Sequence, residues 1–426
     1  MRFIQLIKTS YYHLKSQPLL TWISISGTAL AIFLIMIVVM LQEVMTAPFA
    51  PESSRDRLLY YSYISVKYPS GSQSNCPMSW QFIKEVILPL KSSETFTCFK
   101  NGAEKAVLSE VGGNSVSVIE RQTDHRFWNV FDFTFVSGKP FSEDDFNTRS
   151  ATAVITRSVA QKLFGTQNAA GREILVNGIP YRITGVVEDV SELATATYAQ
   201  IWTNVAKTTL YDDWSDLTGW MSAIILAPSA DDFEAIRNEI DLRTAELNKR
   251  LSASDKQIIT RNRPYSQAKQ AIKTSSAIEP DLTLWNMQMG MVYLILLIVP
   301  AINLLSMTQS RLKRRMGEIA IRRSFGCQRN AIVRDLFVEN LMLTLVAGVI
   351  GLVLSICFAC VFDSVVFEEM AITTVSASPS ELLHWSTFLL ALFFCFVLNL
   401  LSNSIPAWKA SRTSVVEAMS GRKCNA

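Results

Sequence analysis

The sequence predicts a membrane α-helical fold with four transmembrane helices and a large α+β extracytoplasmic domain between the first and second spans. Its 426 residues are 49% hydrophobic and 18% charged. That balance is too apolar for an ordinary soluble protein and too charged for one that lies wholly in lipid. Four apolar runs are each long enough to cross the roughly 30 Å of hydrocarbon in a bilayer. The segment between the first two runs, 42–284, is mixed in composition, as in a soluble domain.

The four predicted spans cover 19–41, 285–310, 336–362 and 385–406. The first comes from an uncharged run that is longer than the about 7–15 residues of a signal-peptide core, so an uncleaved anchor is expected. The second belongs to an uncharged run of 29 residues, 282–310.

Lys and Arg residues set the predicted orientation, because short loops rich in them stay in the cytoplasm. They number three in 1–18, eight in 311–335 and four in 407–426, but none in 363–384. Both termini and the 311–335 loop are therefore predicted to be cytoplasmic. The domain 42–284 and the 363–384 loop are predicted to lie outside, in the periplasm, so that the protein is a multi-pass bacterial inner-membrane protein.

Residues 1–18 are predicted to form an interfacial helix before the first span. Phe3, Leu6, Ile7 and Leu14 fall on one helical stripe, which is typical of an amphipathic helix in the membrane interface. A simple basic flank that enforces the orientation is the alternative.

The external segment contains two predicted strand–helix pairs. Residues 57–68 have the aromatic and β-branched composition of a strand, and 79–88 have helical spacing. A second pair is predicted at 221–227 and 228–251, with Ser229 as the expected N-cap of the helix.

The residues between these two pairs predict further elements. Residues 151–165 read as a strand followed by a helix, and 171–190 read as a hairpin with its turn at Asn177-Gly178. We therefore expect a discontinuous first subdomain, with a second subdomain of about 121–215 inserted into it.

Two of the seven cysteines, Cys76 and Cys98, lie in the segment predicted to be outside, where disulfides can form. Sequence spacing does not show whether their Cα atoms lie within bonding distance. The pairing of Cys76 with Cys98 is therefore left open.

Catalytic and metal-binding motifs are scarce in the sequence, and nucleic-acid binding is not suggested. The sequence contains no HExxH, GxSxG or GxxxxGK[ST] pattern, and its three histidines, His13, His125 and His384, are far apart. The external segment has 25 basic and 29 acidic residues, while the whole chain has a net charge of +3, so the basic excess belongs to membrane topology. We predict a non-catalytic chain with no cofactor or metal bound directly.

The stretch GEIAIRRSFG, residues 317–326, mixes charged and large apolar side chains on the predicted cytoplasmic side. A short helix of this kind suits docking into a groove on a partner, with a Glu318–Arg322 pair four residues apart and Gly326 at its end. An interfacial helix whose apolar residues enter lipid is the alternative, and these residues alone leave both open. The candidate docking residues are Glu318, Ile319, Ile321, Arg322, Arg323, Phe325 and Gly326.

The stretch GEIAIRRSFG resembles the cytoplasmic loop of MacB/FtsX-type ABC transporter permeases, in which the sequence runs close to E-I-G-I-R-x-A-x-G-A. PAWKASRTSVVEAM (406–419) resembles the family's C-terminal ending, although Val415 replaces its usual proline. LKSQPLLTWISISGTALA (14–31) is similar to the family's entry into the first span. The stretches similar to its periplasmic core domain are 127–145, 153–165 and 171–190.

The resemblance implies a permease subunit that transmits the ATP-driven motion of a separate ABC ATPase to its periplasmic domain, for export or envelope substrate handling. It implies that ATP binds to that partner, that the candidate docking residues contact it, and that two four-span permeases form a homo- or heterodimer. A periplasmic adaptor, an outer-membrane channel and an envelope enzyme are further partners in the family. The alternative is an FtsX-like regulator of an envelope hydrolase, which transports nothing.

Overall fold

The computed structural model describes residues 12, 18–110, 113–207, 217–251, 256–368, 393, 394, 396, 397 and 400. The chain forms two compact units. The helical unit comprises Met1–Glu43, Asn286–Phe362 and Ser378–Ala426, and the α/β unit comprises Val44–Trp285 and Asp363–Ala377. Apart from residues 12 and 18, the predicted interfacial helix 1–18 lies outside the described residues, as do most of the predicted fourth span and the whole tail 407–426.

The α/β unit is built mainly from strands, joined by short helices. The described strands are β1 (Leu58–Tyr61), β2 (Ile64–Lys67), β3 (Gln73–Cys76), β4 (Thr95–Lys100), β5 (Glu104–Ser109), β6 (Ser115–Thr123), β7 (Phe135–Gly138), β8 (Thr152–Thr156), β9 (Glu173–Val176), β10 (Ile179–Val187), β11 (Ile201–Asn204), β12 (Met221–Leu226), β13 (Gln257–Ile259) and β14 (Tyr265–Ser266).

Three long helices and several short ones complete the described secondary structure. The α-helices are α1 (Pro18–Thr46), α2 (Trp80–Phe82), α3 (Phe127–Val130), α4 (Glu143–Asn147), α5 (Arg157–Phe164), α6 (Phe233–Leu251), α7 (Gln267–Ala271), α8 (Leu282–Ser324) and α9 (Arg329–Glu368). The π- and 3₁₀-helical turns are Ile83–Ile87, Arg55–Arg57, Val205–Lys207 and Ala230–Asp232.

Six strands of the largest sheet close into a barrel. The order β11-β8-β10-β9-β5-β6 returns to its start because β6 and β11 pair in parallel, with Glu120 opposite Ile201. Inward residues such as Leu108, Ile155 and Ile183 are buried in its core together with α5. We call these six strands the barrel.

The same sheet continues beyond the barrel as β4-β12-β1-β14. The junction is narrow, because β4 and β6 share a single paired position, Phe99 opposite Thr123. A cluster of buried aromatic and aliphatic side chains, including Phe127, Trp202 and Leu226, packs residues of both parts together. Since the sheet runs through both parts, the inserted subdomain of about 121–215 stays a prediction.

The structure also revises two predicted elements. The strand predicted for 57–68 is two strands: β1 pairs with β12 in the large sheet, while β2 joins β3 and β13 in a separate three-stranded sheet. The helix predicted for 79–88 is one α-turn followed by a π-helical turn. Both segments have the predicted composition, but long-range pairing and packing decide where each element breaks.

Local turn and capping signals are confirmed. Asn177 and Gly178 adopt positive φ angles of 50° and 84° between β9 and β10, as a tight hairpin turn requires. Ser229 and Asp232 form a reciprocal capping box ahead of α6.

Cys76 and Cys98 are free thiols in the structure. Cys76 lies on β3 of the small sheet, where its Sγ is 2.8 Å from Ser74 Oγ. Cys98 is buried on β4 of the large sheet. The structure thus shows the two thiols unpaired, on different sheets.

In the helical unit, α1, α8 and α9 pack through apolar side chains. Ile32 and Met36 of α1 are buried against Leu297, Ala301 and Leu352. Gly351 allows a close approach, since a Cβ atom there would lie 2.8 Å from the Ala29 carbonyl oxygen.

Two described helices are long and apolar enough to cross a membrane, Thr21–Thr46 and Phe337–Phe358, and Leu282–Ile298 is a shorter apolar stretch. These segments overlap the first three predicted spans. The short helix predicted at 317–326 is the end of a longer one, because α8 continues without a break from Leu282 to Ser324. Residues 311–324 are mostly good helix formers without proline, so the helix extends past the predicted end of the span at 310.

Candidate functional site

The turn between α8 and α9 is the first candidate site, and Gly326 determines where it begins. Gly326 has φ +87°, a left-handed conformation that ends helices. The Phe325 N–H donates to the Ile321 carbonyl at 3.2 Å, and the Cys327 N–H donates to the Arg322 carbonyl at 3.0 Å. These bonds close the last turn of α8, and α9 starts at Arg329. The coupling turn is therefore Phe325–Gln328.

An ion pair spans the coupling turn. Arg322 Nη1 lies 3.7 Å from Asp335 Oδ2, which joins the end of α8 to the start of α9. Both side chains remain more than a third exposed, so solvent screens the pair and its contribution to stability is small.

Two large apolar side chains at the turn are exposed. Phe325 is 87% exposed and Ile321 is 53% exposed. Burying a side chain of this size in an apolar environment is worth about 1.5–3 kcal/mol. The coupling turn therefore presents an apolar anchor whose burial against another surface would be favourable.

The structure brings four of the predicted docking residues to this turn. Ile321 and Arg322 lie in the last turn of α8, and Phe325 and Gly326 follow it directly. For Glu318, Ile319 and Arg323 the structure describes the helical backbone but not the side chains. The described partner of Arg322 is Asp335, which the sequence did not suggest, whereas the expected Glu318–Arg322 pair lies outside the described side chains.

Sequence reasoning missed a second site, at the C-terminal end of α1. Arg55 Nε donates to Glu52 Oε2 at 2.7 Å, and each side chain is only 1% exposed. Arg55 Nη1 donates to the carbonyls of Val44 and Ala47 at 3.0 and 3.1 Å, around the end of α1 at Thr46. We call this group, with its contacts to the loop described next, the Arg55 junction.

The Arg55 junction also holds the loop that connects β10 to β11. Arg55 Nη2 donates to the Leu193 carbonyl at 2.9 Å. Glu52 Oε1 accepts from the N–H groups of Ala196 and Thr197 at 2.9 and 3.0 Å. The sequence signal is weak, because an acid and an arginine three residues apart in a polar loop normally lie in solvent.

A further buried arginine, Arg263, lies in the segment that leads to α8. Its Nη1 donates to the Tyr63 carbonyl at 2.8 Å, and its Nη2 donates to the Ser276 carbonyl. Asp281 then caps α8, since its Oδ1 accepts from the N–H groups of Thr283 and Leu284 at 2.8 and 3.2 Å. Buried arginines thus lie in the segment that follows α1 and in the segment that precedes α8 in the chain.

The described residues offer no arrangement for metal chemistry. Among them, no three His, Cys, Asp or Glu side chains lie close enough together to hold an ion. Burial, with the nearby charge of Arg126, lowers the pKa of His125, whose ring packs edge-on against Phe146 at 5.1 Å. The geometry of the coupling turn and of the Arg55 junction suits binding and mechanical connection.

Comparison with known families covers most of the chain. The model of the MacB-like periplasmic core domain matches residues 21–242, and the model of the FtsX-like permease C-terminal region matches residues 290–415. The first match alone spans more than half of the 426 residues.

The individual relatives described here share only 22–26% sequence identity with this chain. An uncharacterised ABC transporter permease of Bacillus subtilis, YknZ, is 22% identical over 69% of this chain and 67% of its own length. The pyoverdine export ATP-binding/permease protein PvdT of Pseudomonas syringae is 26% identical over 79% of this chain and 46% of its own length. The macrolide export ATP-binding/permease protein MacB of Pasteurella multocida is 25% identical over 69% of this chain and 41% of its own length. The chain thus spans less than half of the two ATP-binding/permease relatives.

Proposed function

The chain belongs to the MacB/FtsX-type family of ABC transporter permeases, and we propose that it passes the ATP-driven motion of a separate ATPase through its helices to the α/β unit. The observation that supports this most is the 87% exposed Phe325 in the coupling turn, beside the Arg322–Asp335 pair. The ATPase binds there, with Phe325 and Ile321 entering a groove on its surface. Arg323 pairs with acids around that groove.

We propose that ATP binds to a partner ATPase, as in an ABC permease complex, and no GxxxxGK[ST] phosphate loop occurs within these 426 residues. The names of PvdT and MacB combine ATP-binding and permease functions. We therefore propose a non-catalytic permease that works in the bacterial inner membrane with four spans. Both termini and the coupling turn face the cytoplasm, as the basic residues indicate.

The permease is also proposed to pair with a second four-span permease, of the same or a related chain. An exposed apolar stripe on α8, formed by Met287, Met291, Leu294 and Ile298, supports this. Its spacing of four, three and four residues is that of a helix–helix seam. Disulfide crosslinking of Met291→Cys in native membranes tests the pairing, with Val349→Cys on the exposed side of α9 as the control. Crosslinking at neither position or at both equally would contradict it.

The export function is tested by purifying the tagged full chain from native membranes in mild detergent. We expect an ATPase with a phosphate-loop motif to be recovered with it, together with ATP hydrolysis. A periplasmic adaptor or an outer-membrane channel in the same sample supports export. Recovery of the permease without any ATPase would contradict the proposal.

A second candidate function rests on the match of residues 290–415 to the FtsX-like permease C-terminal model. In this alternative the α/β unit recruits an envelope hydrolase and transports nothing. The same purification separates the two, because this candidate predicts a hydrolase bound to the α/β unit and no outer-membrane channel.

A further inference from the structure

The Arg55 junction binds two parts of the α/β unit that are distant in sequence. One is the end of α1, through Val44 and Ala47. The other is the loop that includes Leu193–Thr197, between β10 and β11. Both of these strands pair with β8 in the barrel. The Arg55–Glu52 pair therefore connects the end of α1 to the loop between these two barrel strands.

The contacts of Arg55 are of a kind that only arginine provides. Its three guanidinium nitrogens donate to one carboxylate and three carbonyls at 2.7–3.1 Å. The planar fork fixes these directions, whereas a lysine ammonium is a compact charge at the end of a flexible stem. The guanidinium also lies over the Phe49 ring, 4.2 Å from its centroid. The junction is thus geometrically rigid.

Arg57 is a nearby arginine whose contacts differ from those of Arg55. It pairs with Glu94 at 2.9 Å, but the two side chains are 32% and 50% exposed. Its other bonds go to the carbonyls of Ala227 and Pro228 at 3.3 and 3.2 Å, after β12. Arg57 contacts neither the end of α1 nor the loop at 193–197 in these bonds, so it serves as a matched control.

We propose that Arg55 and Glu52 are positioning residues that transfer movement of α1 to the barrel. This inference rests on the proposed function, since it assumes that ATP hydrolysis moves α1. It assigns the transfer to a buried pair of side chains in the α/β unit, far in sequence from the coupling turn.

Hydrogen–deuterium exchange on the purified permease–ATPase complex tests this inference. Exchange is compared without nucleotide and with ATP plus orthovanadate, in peptides covering 40–50, at the end of α1, and 190–204, which contain the loop and β11. The variants are Arg55→Ala, Glu52→Gln and the control Arg57→Ala. Glu52→Gln retains the size of the side chain and one oxygen acceptor while it removes the charge that holds Arg55.

In wild type and in Arg57→Ala, nucleotide should change exchange in both peptides. In Arg55→Ala the change at 40–50 should persist, while the change at 190–204 should be lost. If Arg55→Ala does not fold, as exchange at β8 would reveal, Glu52→Gln should show the same loss. If nucleotide still changed exchange at 190–204 in a folded Arg55→Ala or Glu52→Gln variant, this inference would be overturned while the proposed function would stand. Absence of any response in wild type would overturn the proposed function with it.

Discussion

Arg322 Nη1 lies 3.7 Å from Asp335 Oδ2, so that an ion pair joins the last turn of α8 to the start of α9 across the coupling turn. Phe325 lies in the turn between these two helix ends and is 87% exposed.

Removing the ion pair should have a small effect. Because both side chains are more than a third exposed, Asp335→Asn should weaken ATPase binding by no more than about fivefold, the upper range for exposed pairs. Binding measured with the purified ATPase on wild type and variant checks this. A loss much larger than fivefold would show that Asp335 itself contacts the ATPase.

Gly326 should be sensitive to any side chain that resists a left-handed backbone. A Cβ atom there would meet no atom within 4 Å, so only the φ of +87° opposes substitution. Gly326→Ala should cost about 1–2 kcal/mol, and Gly326→Asn should cost less because Asn tolerates this conformation. Thermal unfolding of the detergent-purified full chain measures both variants. Equal stability of Gly326→Ala and wild type would contradict the expected strain.

Asp124 should make the stability of the α/β unit depend on pH. Thr97 Oγ1 donates to its Oδ1 at 2.6 Å and the Cys98 N–H donates to its Oδ2 at 3.1 Å. Burial raises the pKa of Asp124 to about 6, although these hydrogen bonds oppose the shift. The folded state thus holds this proton more tightly than the unfolded state, where the pKa is about 3.9. The resulting stabilisation is present below about pH 4 and is lost as the pH rises through about 6, with a total of roughly 3 kcal/mol.

Asp124→Asn should remove this contribution. Urea unfolding of the full chain in detergent, followed by tryptophan fluorescence between pH 4 and 7, measures the difference between the two proteins. The unfolding free energy of wild type should fall relative to that of Asp124→Asn as the pH rises. A constant difference across this range would contradict the assignment.

Native cysteines should report the topology. An impermeant maleimide added to intact spheroplasts should modify Cys76, which is partly exposed, but not Cys327 in the coupling turn. Cys98 should resist modification even after permeabilisation, because it is buried and burial raises the pKa of its thiol. Peptide mapping by mass spectrometry identifies the modified sites. Modification of Cys327 in intact spheroplasts would contradict the proposed orientation.

The sequence predicts those parts of the fold that depend on neighbouring residues. The turn at Asn177-Gly178, the cap at Ser229 and the helix end at Gly326 each depend on the conformational preference of one or two residues. Closure of the barrel was not predicted, because pairing of Glu120 with Ile201 joins strands 81 residues apart. No local periodicity encodes such a pairing.

The candidate sites likewise divide into residues that the sequence identified and residues that only the fold brings together. Ile321 and Phe325 were identified because large apolar side chains are unusual in a predicted basic cytoplasmic loop. The Arg55 junction was missed because its partners are mostly backbone groups, several of them about 140 residues away. A sequence pattern does not show which backbone carbonyl will accept a hydrogen bond from an arginine far away in the chain.

The measurement that tests the central claim most directly is the affinity of the ATPase for the permease with and without the Phe325 side chain. Loss of an aromatic anchor at an interface often costs 2 kcal/mol or more, so Phe325→Ala should weaken ATPase binding by about 30-fold or more. Phe393→Ala, which removes another exposed phenylalanine of the helical unit, is the matched control and should bind like wild type. Both variants should insert into the membrane normally. Unchanged ATPase binding by Phe325→Ala would contradict the claim that the coupling turn is the docking site.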